Sequence, residues 1–317
     1  MKTDQAINEF LEYLEVERGS APLTIKVYRH YLSRFSEWLA ANHPDVGLES
    51  LDLEMVRKYR LHLARLKGPT GALVKKITQS YHIIALRAFL RYLIVQRSVD
   101  TLAPEKIDLP KTTQRTVAFL NQEQVERLLN CPDTSAVTGL RDRAILETLF
   151  STGLRVSELA KLNRDHIDLE RKEFGVVGKG SKPRVVFLSD QAVEWIKRYL
   201  ESRSDMFNPL FIRYSRGVDM AKDGERMRLT PRSIEMAVAK YARMCGIAVK
   251  TTPHTLRHSF ATDLLSAGAD IRSVQEMLGH ESIRTTQVYT HVTDRQLKEV
   301  HQVFHGRKKP DETPPAE

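Results

Sequence analysis

Long apolar runs are missing from this sequence. No stretch approaches the roughly 20 consecutive apolar residues that a membrane-spanning helix needs, which predicts a protein without a membrane partner. The first residues, Met1 to Gln5, contain no apolar segment of the secretory type, so we expect an intracellular protein. Cysteine is rare as well. Cys131 and Cys245 lie far apart in sequence and fit no metal-ligand spacing, so we expect both to be reduced and structural.

Acidic residues are also missing from one long segment. Residues 55–99 contain ten lysines or arginines and no aspartate or glutamate, whereas residues 1–54 contain five basic and ten acidic residues. A solvated helix face normally mixes both signs, so this segment predicts a surface that faces phosphates. The net charge of +9 agrees with a polyanionic partner, but this value alone is weak evidence because many proteins are basic.

The spacing of apolar residues predicts helices over most of the first hundred residues. The predicted helices are one capped by Thr3 and running to about Arg18, one after Pro22, one opened by Asp52, and one from about Lys75 to Gln96. Four such amphipathic helices can close one small bundle. Residues 101–116 contain two prolines and little periodicity, which indicates an extended linker.

The remainder predicts a mainly α fold with a small antiparallel β-sheet. Asn121 caps one helix, and a second helix runs from about Thr138 to Ser151. Residues 174–177 and 184–188 flank a glycine-rich tip and predict a β-hairpin, with a further edge at 210–212. Helices resume at about residue 230 and continue to about 304. The polar, proline-rich tail at 306–317 is expected to be disordered.

Arg155 follows Thr152 and Gly153, where one predicted helix ends and another begins. A guanidinium at such a place can direct two donors at one phosphate and stays protonated. The ordinary alternative is a surface arginine paired with Glu158.

A second candidate group opens a helix after Pro253. His254 and Arg257 lie three residues apart near a helix N-terminus, an end that favours bound anions. His254 and His258 form an i,i+4 pair, which raises the hypothesis of a zinc site. We reject it because Thr255 stands where a His-Glu-x-x-His protease site has glutamate. His258 is predicted to be a structural hydrogen-bonding residue.

His280 and Tyr289 complete the candidate set. His280 follows Gly279 at a predicted helix C-cap, and Tyr289 falls near the end of the next short helix. Either residue alone is most simply a packing residue. Together with the two arginines and His254, however, they can hold a phosphodiester, move its protons and attack it. Nothing in this set requires a metal or another cofactor.

Three segments of the chain, residues 152–159, 254–261 and 278–291, resemble the tyrosine recombinase (phage integrase) family. The resemblance covers residues 1–305. The size of the chain and its segment 268–271 are similar to those of the Xer group. The resemblance implies a helical core-binding domain at 1–105, a linker at 106–118, an α+β catalytic domain at 119–305, and a tail at 306–317. It implies a site-specific recombinase that forms a 3′-phosphotyrosyl intermediate.

The resemblance also assigns roles by matching positions. The residues that would surround the scissile phosphate are Arg155, Lys179, His254, Arg257 and His280. Tyr289 would be the nucleophile, and Lys179 at the hairpin tip would protonate the departing 5′ oxygen. The choice of Lys179 rests on the resemblance, and its neighbours Lys182 and Arg184 are expected to contact the DNA backbone. Neither metal nor cofactor is implied.

The partners implied are a double-stranded recombination site and a homo- or hetero-tetramer assembled on two such sites. A second related recombinase and a DNA translocase belong to the same expectation, as does a cytoplasmic, nucleoid-associated location. The apolar residues of a predicted helix at 293–304 would dock into a neighbouring subunit or cover their own domain. The biological role would be resolution of chromosome or plasmid dimers.

Four other functions are compatible with parts of this pattern. Integration of a mobile element would use the same chemistry. A non-catalytic DNA-binding regulator has no need for Tyr289. A type IB topoisomerase shares the tyrosine chemistry but would relax plasmids that lack any specific site. A metal-dependent nuclease or transposase needs clustered carboxylates, which the three segments do not supply.

Overall fold

The computed structural model describes residues 2–68, 71–109, 118–178, 182–214, 224–280 and 282–287. The chain divides into two compact units, Met1–Gln114 and Arg115–Glu317. No helix within the described ranges is long and apolar enough to cross a bilayer. The predicted class, mainly α with a small antiparallel sheet, is confirmed.

The first unit contains the four predicted helices. They are α1 (Thr3–Val16), α2 (Pro22–Asn42), α3 (Leu53–Arg65) and α4 (Lys76–Arg97). Their apolar faces share one core, in which Phe10, Phe35 and Phe89 are almost fully buried. Asp52 caps α3 by accepting a hydrogen bond from the Met55 amide at 2.7 Å, as expected. The predicted cap at Thr3 is wrong, because Lys2 occupies the N-cap position and no side chain caps this end.

The segment after α4 differs from the extended linker predicted to begin at Thr101. Residues 104–106 form a 3-10 turn, and Ile107 is buried in the core of the first unit. The Thr101 hydroxyl donates to the carbonyl of Leu48, which fixes the start of the segment. An apolar side chain and a side-chain hydrogen bond therefore tie these residues down, despite the prolines. Residues 110–117 lie outside the described ranges.

The second unit consists of eight described helices and one hairpin. The helices are α5 (Gln122–Leu129), α6 (Val137–Thr152), α7 (Val156–Ala160), α8 (Asp190–Glu201), α9 (Pro231–Met244), α10 (Pro253–Ser266), α11 (Ile271–Leu278) and α12 (Ile283–Thr286). α6 is buried along most of its length and packs against α5, α8, α9 and α10. It is therefore the central helix of this unit, and α10, which carries His254 and Arg257, packs directly against it.

The predicted hairpin is confirmed by strands β1 (Glu173–Val177) and β2 (Pro183–Phe187). They pair antiparallel, with Phe174 opposite Val186, and both of these side chains are buried. The Gly178 amide donates to the Lys182 carbonyl at 2.9 Å and closes the base of the tip.

The predicted third edge at 210–212 is wrong for the described residues, where the sheet has two strands. Ile212 makes only an isolated bridge with Arg228. The Arg203 guanidinium donates to the carbonyls of Pro209 and Leu210 at 2.8 and 2.9 Å. A buried side chain thus uses the acceptors that a neighbouring strand would have used.

The two cysteines, distant in sequence, are close in space and free of any disulfide. The Cys131 thiol donates to the Tyr241 carbonyl at 3.6 Å, and the Cys245 thiol donates to the Arg127 carbonyl at 3.3 Å. Burial, followed by a hydrogen bond with the Cys131 thiol, raises the pKa of Cys245 to about 12. Cys245 is therefore a protonated packing residue at neutral pH.

Candidate active site

A glycine turn places Arg155 at the start of α7. Gly153 ends α6 with φ at +59°, and a Cβ there would lie 2.5 Å from Cδ1 of Phe260. A side chain at this position would therefore meet both backbone strain and a steric clash. The reversal leaves Arg155 in an extended conformation as the N-cap residue of α7, as the sequence predicts.

The Arg155 side chain joins α7 to the end of α11. Its Nη1 donates to Oε1 of Glu158 at 2.9 Å, and its Nη2 donates to the Gly279 carbonyl at 3.2 Å. The ordinary pairing with Glu158 is thus present. It does not make Arg155 a surface residue, since the Glu158 side chain is only 7% exposed while that of Arg155 is 27% exposed. About a quarter of the Arg155 side chain is therefore in contact with solvent.

Arg257 lies on α10 and is almost fully buried. Its Nη1 donates to the Gly153 carbonyl at 2.6 Å, and its Nη2 donates to the Leu278 carbonyl at 2.5 Å. These carbonyls belong to the C-terminal ends of α6 and α11. One cation therefore fixes three helices relative to each other and satisfies two buried acceptors.

His254 and Arg257 differ in exposure although they lie three residues apart at the start of α10. Thr252 caps the helix through the Thr255 amide, and His254 lies at the surface, whereas Arg257 points inward. Partial desolvation, followed by the charges of Arg257 and Arg155, lowers the pKa of His254. His254 is therefore an accessible imidazole that stays neutral at physiological pH.

His258 lies one turn further along α10. The rings of His254 and His258 have their centroids 6.5 Å apart. Burial, with smaller effects from His254 and Arg257, lowers the pKa of His258 to about 4. This neutral, partly buried imidazole agrees with the predicted structural role.

His280 follows the α11 C-cap, where Gly279 has φ at +62°. Its Nδ1 lies 3.0 Å from the hydroxyl of Thr286, which is fully buried on α12. Burial lowers the pKa of His280 to about 4, with further contributions from the charges of Arg257 and Arg155. The imidazole is therefore neutral and lies in the field of both arginines.

Lys179 and Tyr289 lie outside the described residues. One described neighbour of each lies near another candidate site residue. A Cβ on Gly178, which precedes Lys179, would lie 3.9 Å from Nη1 of Arg155. Thr286, three residues before Tyr289, is the residue that contacts His280. Of the six predicted site residues, the structure brings Arg155, Arg257 and His280 together and places His254 at the rim.

Two further residues belong to this site, and one corrects the sequence analysis. Arg184 was expected to contact DNA, but its side chain is only 10% exposed and donates to both carboxylate oxygens of Glu158, at 3.1 and 2.8 Å. Burial alone would raise the pKa of Glu158, but hydrogen bonds from Arg184 and Arg155 hold it at about 2. Strand alternation could have revealed this, because Arg184 shares a face with the buried Val186.

The site therefore combines three guanidinium groups, one buried carboxylate and neutral imidazoles. The resulting excess of positive charge suits a bound phosphodiester, and the donors are already held by carbonyls and Glu158 before any ligand arrives. Neutral imidazoles can accept a proton or donate a hydrogen bond at physiological pH. The arrangement is thus competent for phosphoryl transfer through electrostatic stabilisation.

Comparisons with known families cover nearly the whole chain. The model of the phage integrase family matches residues 118–296, and that of the phage integrase N-terminal SAM-like domain matches residues 7–97. The tyrosine recombinase XerD of Lacticaseibacillus casei is 39% identical over 302 residues, covering 95% of this chain and 98% of that protein. The tyrosine recombinase XerC of Syntrophus aciditrophicus is 36% identical over 320 residues, covering 96% and 98%.

Solved structures show the same architecture. A crystal structure of the XerH site-specific recombinase bound to palindromic difH substrate, a post-cleavage complex, has a TM-score of 0.69 and 24% identity. It covers 91% of this chain and 82% of that one. A Tn1549 transposon integrase in complex with transposon right end DNA has a TM-score of 0.69 and 19% identity, and covers 96% and 100%. At these identities the likeness concerns the fold.

Proposed function

This chain belongs to the phage integrase family of tyrosine recombinases, and from that membership we propose that it is a site-specific DNA recombinase of the Xer type. The observation that carries the proposal is the convergence of Arg155 and Arg257 on the end of α11, where they donate to the Gly279 and Leu278 carbonyls and act on the next residue, His280. A cluster of this charge can bind a phosphodiester and stabilise the charge that builds up on its non-bridging oxygens.

The proposed reaction begins when the phenol oxygen of Tyr289 attacks the scissile phosphorus. The exposed, neutral His254 takes the phenol proton. Arg155 and Arg257 neutralise the non-bridging oxygens. We assign His280 the tautomer in which the Thr286 hydroxyl donates to its Nδ1, 3.0 Å away, so that the proton on Nε2 is directed to the same phosphate.

The bond between phosphorus and the 5′ oxygen then breaks, and Lys179 supplies the proton that the departing oxygen needs. The product is a 3′-phosphotyrosyl bond and a free 5′-hydroxyl. Because this bond retains the energy of the phosphodiester, the 5′-hydroxyl of another strand can reverse the step and join a new partner without ATP. In this scheme, protein side chains supply the nucleophile, the base, the acid and the positive charge.

The first unit is proposed to hold the duplex by its backbone. The exposed cations of α3, α4 and the connection between them supply this surface, namely Lys58, Arg65, Lys67, Lys75 and Lys76. We propose the corresponding division into a core-binding domain at 1–105, a linker at 106–118 and a catalytic domain at 119–305. The XerH recombinase is bound to its difH substrate and the Tn1549 integrase to transposon end DNA, which supports a DNA site as partner.

The finer role is resolution of chromosome or plasmid dimers by a tetramer on two sites, together with a related recombinase or a translocase, in the cytoplasm at the nucleoid. It is supported by relatives named XerD and XerC at 36–39% identity over nearly the full chain. Mobile-element integration is the second candidate, which the fold shared with the Tn1549 integrase favours.

The experiment that tests this function starts from genomic DNA of the source. Purified protein selects fragments, and the most strongly retained fragment is rebuilt as a nicked duplex that traps a covalent adduct. The wild-type chain is expected to form an adduct in excess EDTA, and Tyr289→Phe is expected to bind the duplex without forming one. Tyr214→Phe is the matched control, since Tyr214 is 42% exposed and its hydroxyl contacts Tyr199.

Normal adduct yield from Tyr289→Phe would remove the nucleophile assignment. Loss of cleavage in EDTA that Mg²⁺ restores would instead indicate a metal nuclease. The genomic origin of the retained fragment distinguishes a chromosomal resolution site from the ends of a mobile element.

A further inference from the structure

Arg184 occupies a position that the proposed chemistry does not use. It lies on β2, at the base of the hairpin whose tip carries Lys179, and its guanidinium faces the protein interior. Its two terminal nitrogens grip both oxygens of Glu158 in the bidentate arrangement that arginine favours with a carboxylate. Glu158 in turn accepts hydrogen bonds from the amide and the Nη1 of Arg155, at 2.9 Å each.

The same guanidinium also contacts the segment that carries His280. Nε of Arg184 donates to the Met277 carbonyl at 3.2 Å. A Cβ on Gly279 would lie 3.1 Å from Cδ of Arg184, so the glycine lets the side chain pass close to this backbone. Its Nη1 would also lie 3.3 Å from a Cβ on Gly178. Arg184 therefore touches the three chain segments that hold Arg155, His280 and the residue before Lys179.

We propose that Arg184 is a positioning residue for the recombination reaction: acting through Glu158 and the Met277 carbonyl, it aligns Arg155 and His280 with the scissile phosphate. All three nitrogens of Arg184, Nε included, donate to protein acceptors, and its side chain is 10% exposed against 27% for Arg155, so its effect is assigned to Glu158 and the Met277 carbonyl and not to the phosphate. Its charge also balances Glu158, which would otherwise neutralise Arg155 as a phosphate ligand. The proposal rests on the proposed function and adds a residue to it.

The test compares DNA affinity with cleavage rate on the nicked duplex built from the most strongly retained genomic fragment. For Arg184→Gln we expect a dissociation constant within about twofold of wild type and an adduct-forming rate at saturating protein about 10²-fold lower, since small misplacements in such sites cost rates of this size. Arg184→Lys keeps the charge without the bidentate grip and is expected to recover part of the rate. Weakened binding with an unchanged rate would show a phosphate contact and overturn the proposal.

A double-variant comparison separates positioning from a general structural role. Glu158→Gln is expected to slow cleavage as Arg184→Gln does. Adding Glu158→Gln to Arg184→Gln is expected to slow cleavage by less than about a further threefold, because Arg184→Gln already removes the grip on this carboxylate together with the Met277 contact. Rate losses that multiply would contradict this route. The matched control is Arg198→Gln, which removes an arginine from an exposed ion pair with Glu194 and is expected to leave rate and affinity unchanged.

A second readout needs neither cleavage nor a known DNA site. In NMR spectra of the free protein, Arg184→Gln is expected to shift the Nε signal of Arg155 and the ring signals of His280, whereas Arg198→Gln shifts neither. Unchanged signals would overturn the proposal even if the wild-type protein formed no adduct. Conversely, an inactive wild-type protein with shifted signals would defeat the proposed function and leave the positioning geometry intact.

Discussion

Arginines serve two different purposes in the basic segment of the first unit and in the candidate site of the second. In the basic segment, arginines form ion pairs with carboxylates from outside it, namely the exposed pairs Arg57–Glu54 and Arg91–Glu105 and the partly buried pair Arg97–Glu9. In the second unit, Arg184 and Glu158 form a pair whose side chains are at most 10% exposed, and Arg257 is bound by two buried carbonyls. Residues 55–99 contain no acidic residue, but carboxylates from other segments of the first unit pair with their arginines.

This difference has a physical consequence. Exposed pairs contribute at most about 1 kcal/mol each and exchange readily with water or with a phosphate. A duplex can replace such partners at little cost, which suits reversible backbone binding. The buried pair and the carbonyl-bound Arg257 are costly to rearrange, because breaking them leaves desolvated groups unpaired. Under the proposed function, DNA binding would rely on replaceable contacts and catalysis on fixed ones.

The largest effect is expected for Arg257→Ala. The variant removes a preorganised cation, so the rate of adduct formation on the nicked duplex should fall about 10³-fold or more. It also leaves the Gly153 and Leu278 carbonyls without this donor, at a cost of about 1–3 kcal/mol each in the free energy of unfolding. Rates come from single-turnover assays and stability from urea titration. A rate of adduct formation within tenfold of wild type would show that the buried Arg257 does not support the reaction.

Acid pH should weaken the second unit through its imidazoles. The pKa values of His258 and His280 are about 4 in the folded protein, and their ordinary value is 6.5. Since folding favours the neutral form, this stabilisation is complete above pH 6.5 and is lost as the pH falls from 6.5 to 4. We expect urea titrations at pH 5 to give an unfolding free energy roughly 2–4 kcal/mol below that at pH 7. The double variant His258→Gln with His280→Gln should reduce the pH dependence of the unfolding free energy. An unchanged pH dependence would show that these two histidines are not its cause.

A smaller effect is expected from neutralising the exposed cations. Lys75→Gln combined with Lys76→Gln should weaken binding to the selected fragment a few-fold and lower the salt-dependence slope by about one for each phosphate that is no longer neutralised. Fluorescence anisotropy over a range of salt concentrations measures both quantities. If the affinity stays constant at every salt concentration, the duplex does not lie on this surface.

The smallest effect is expected for the exposed pair Arg91–Glu105. Arg91→Gln should change the unfolding free energy by less than about 1 kcal/mol, because the pair is largely hydrated. Glu158→Gln should cost clearly more, since it leaves two partly buried guanidinium groups without their carboxylate. Equal losses of unfolding free energy for Arg91→Gln and Glu158→Gln would show that the buried pair is no more costly to break than the exposed one.

Local chemistry made much of the fold predictable. Apolar spacing indicated the helices, and side-chain caps at Asp52, Asn121 and Thr252 fixed the starts of three of them. Two strand-type segments, residues 174–177 and 184–188, on either side of a glycine-rich tip indicated the hairpin. The convergence of Arg155, Arg257 and His280 was predictable from their order and the family resemblance.

What the sequence did not reveal depends on contacts between distant segments. Arg203 donates to the carbonyls of Pro209 and Leu210, near the predicted third strand. Ile107 is buried in the core formed by the helices of the first unit. Arg184 turns inward because Glu158, on another element, accepts it. The thiols of Cys131 and Cys245 likewise come together only through the packing of α5 and α9. Strand alternation indicates that Arg184 faces inward, but no local pattern identifies Glu158 or the other partners.

The most direct test of the account is to identify the amino acid that becomes joined to DNA. The wild-type protein is allowed to react with the nicked duplex in EDTA, and the adduct is digested with trypsin and nuclease for mass spectrometry. The account predicts a nucleotide attached through its 3′ phosphate to the tryptic peptide of residues 285–295, whose one tyrosine is Tyr289. A nucleotide on any other residue, or one linked through a 5′ phosphate, would contradict it.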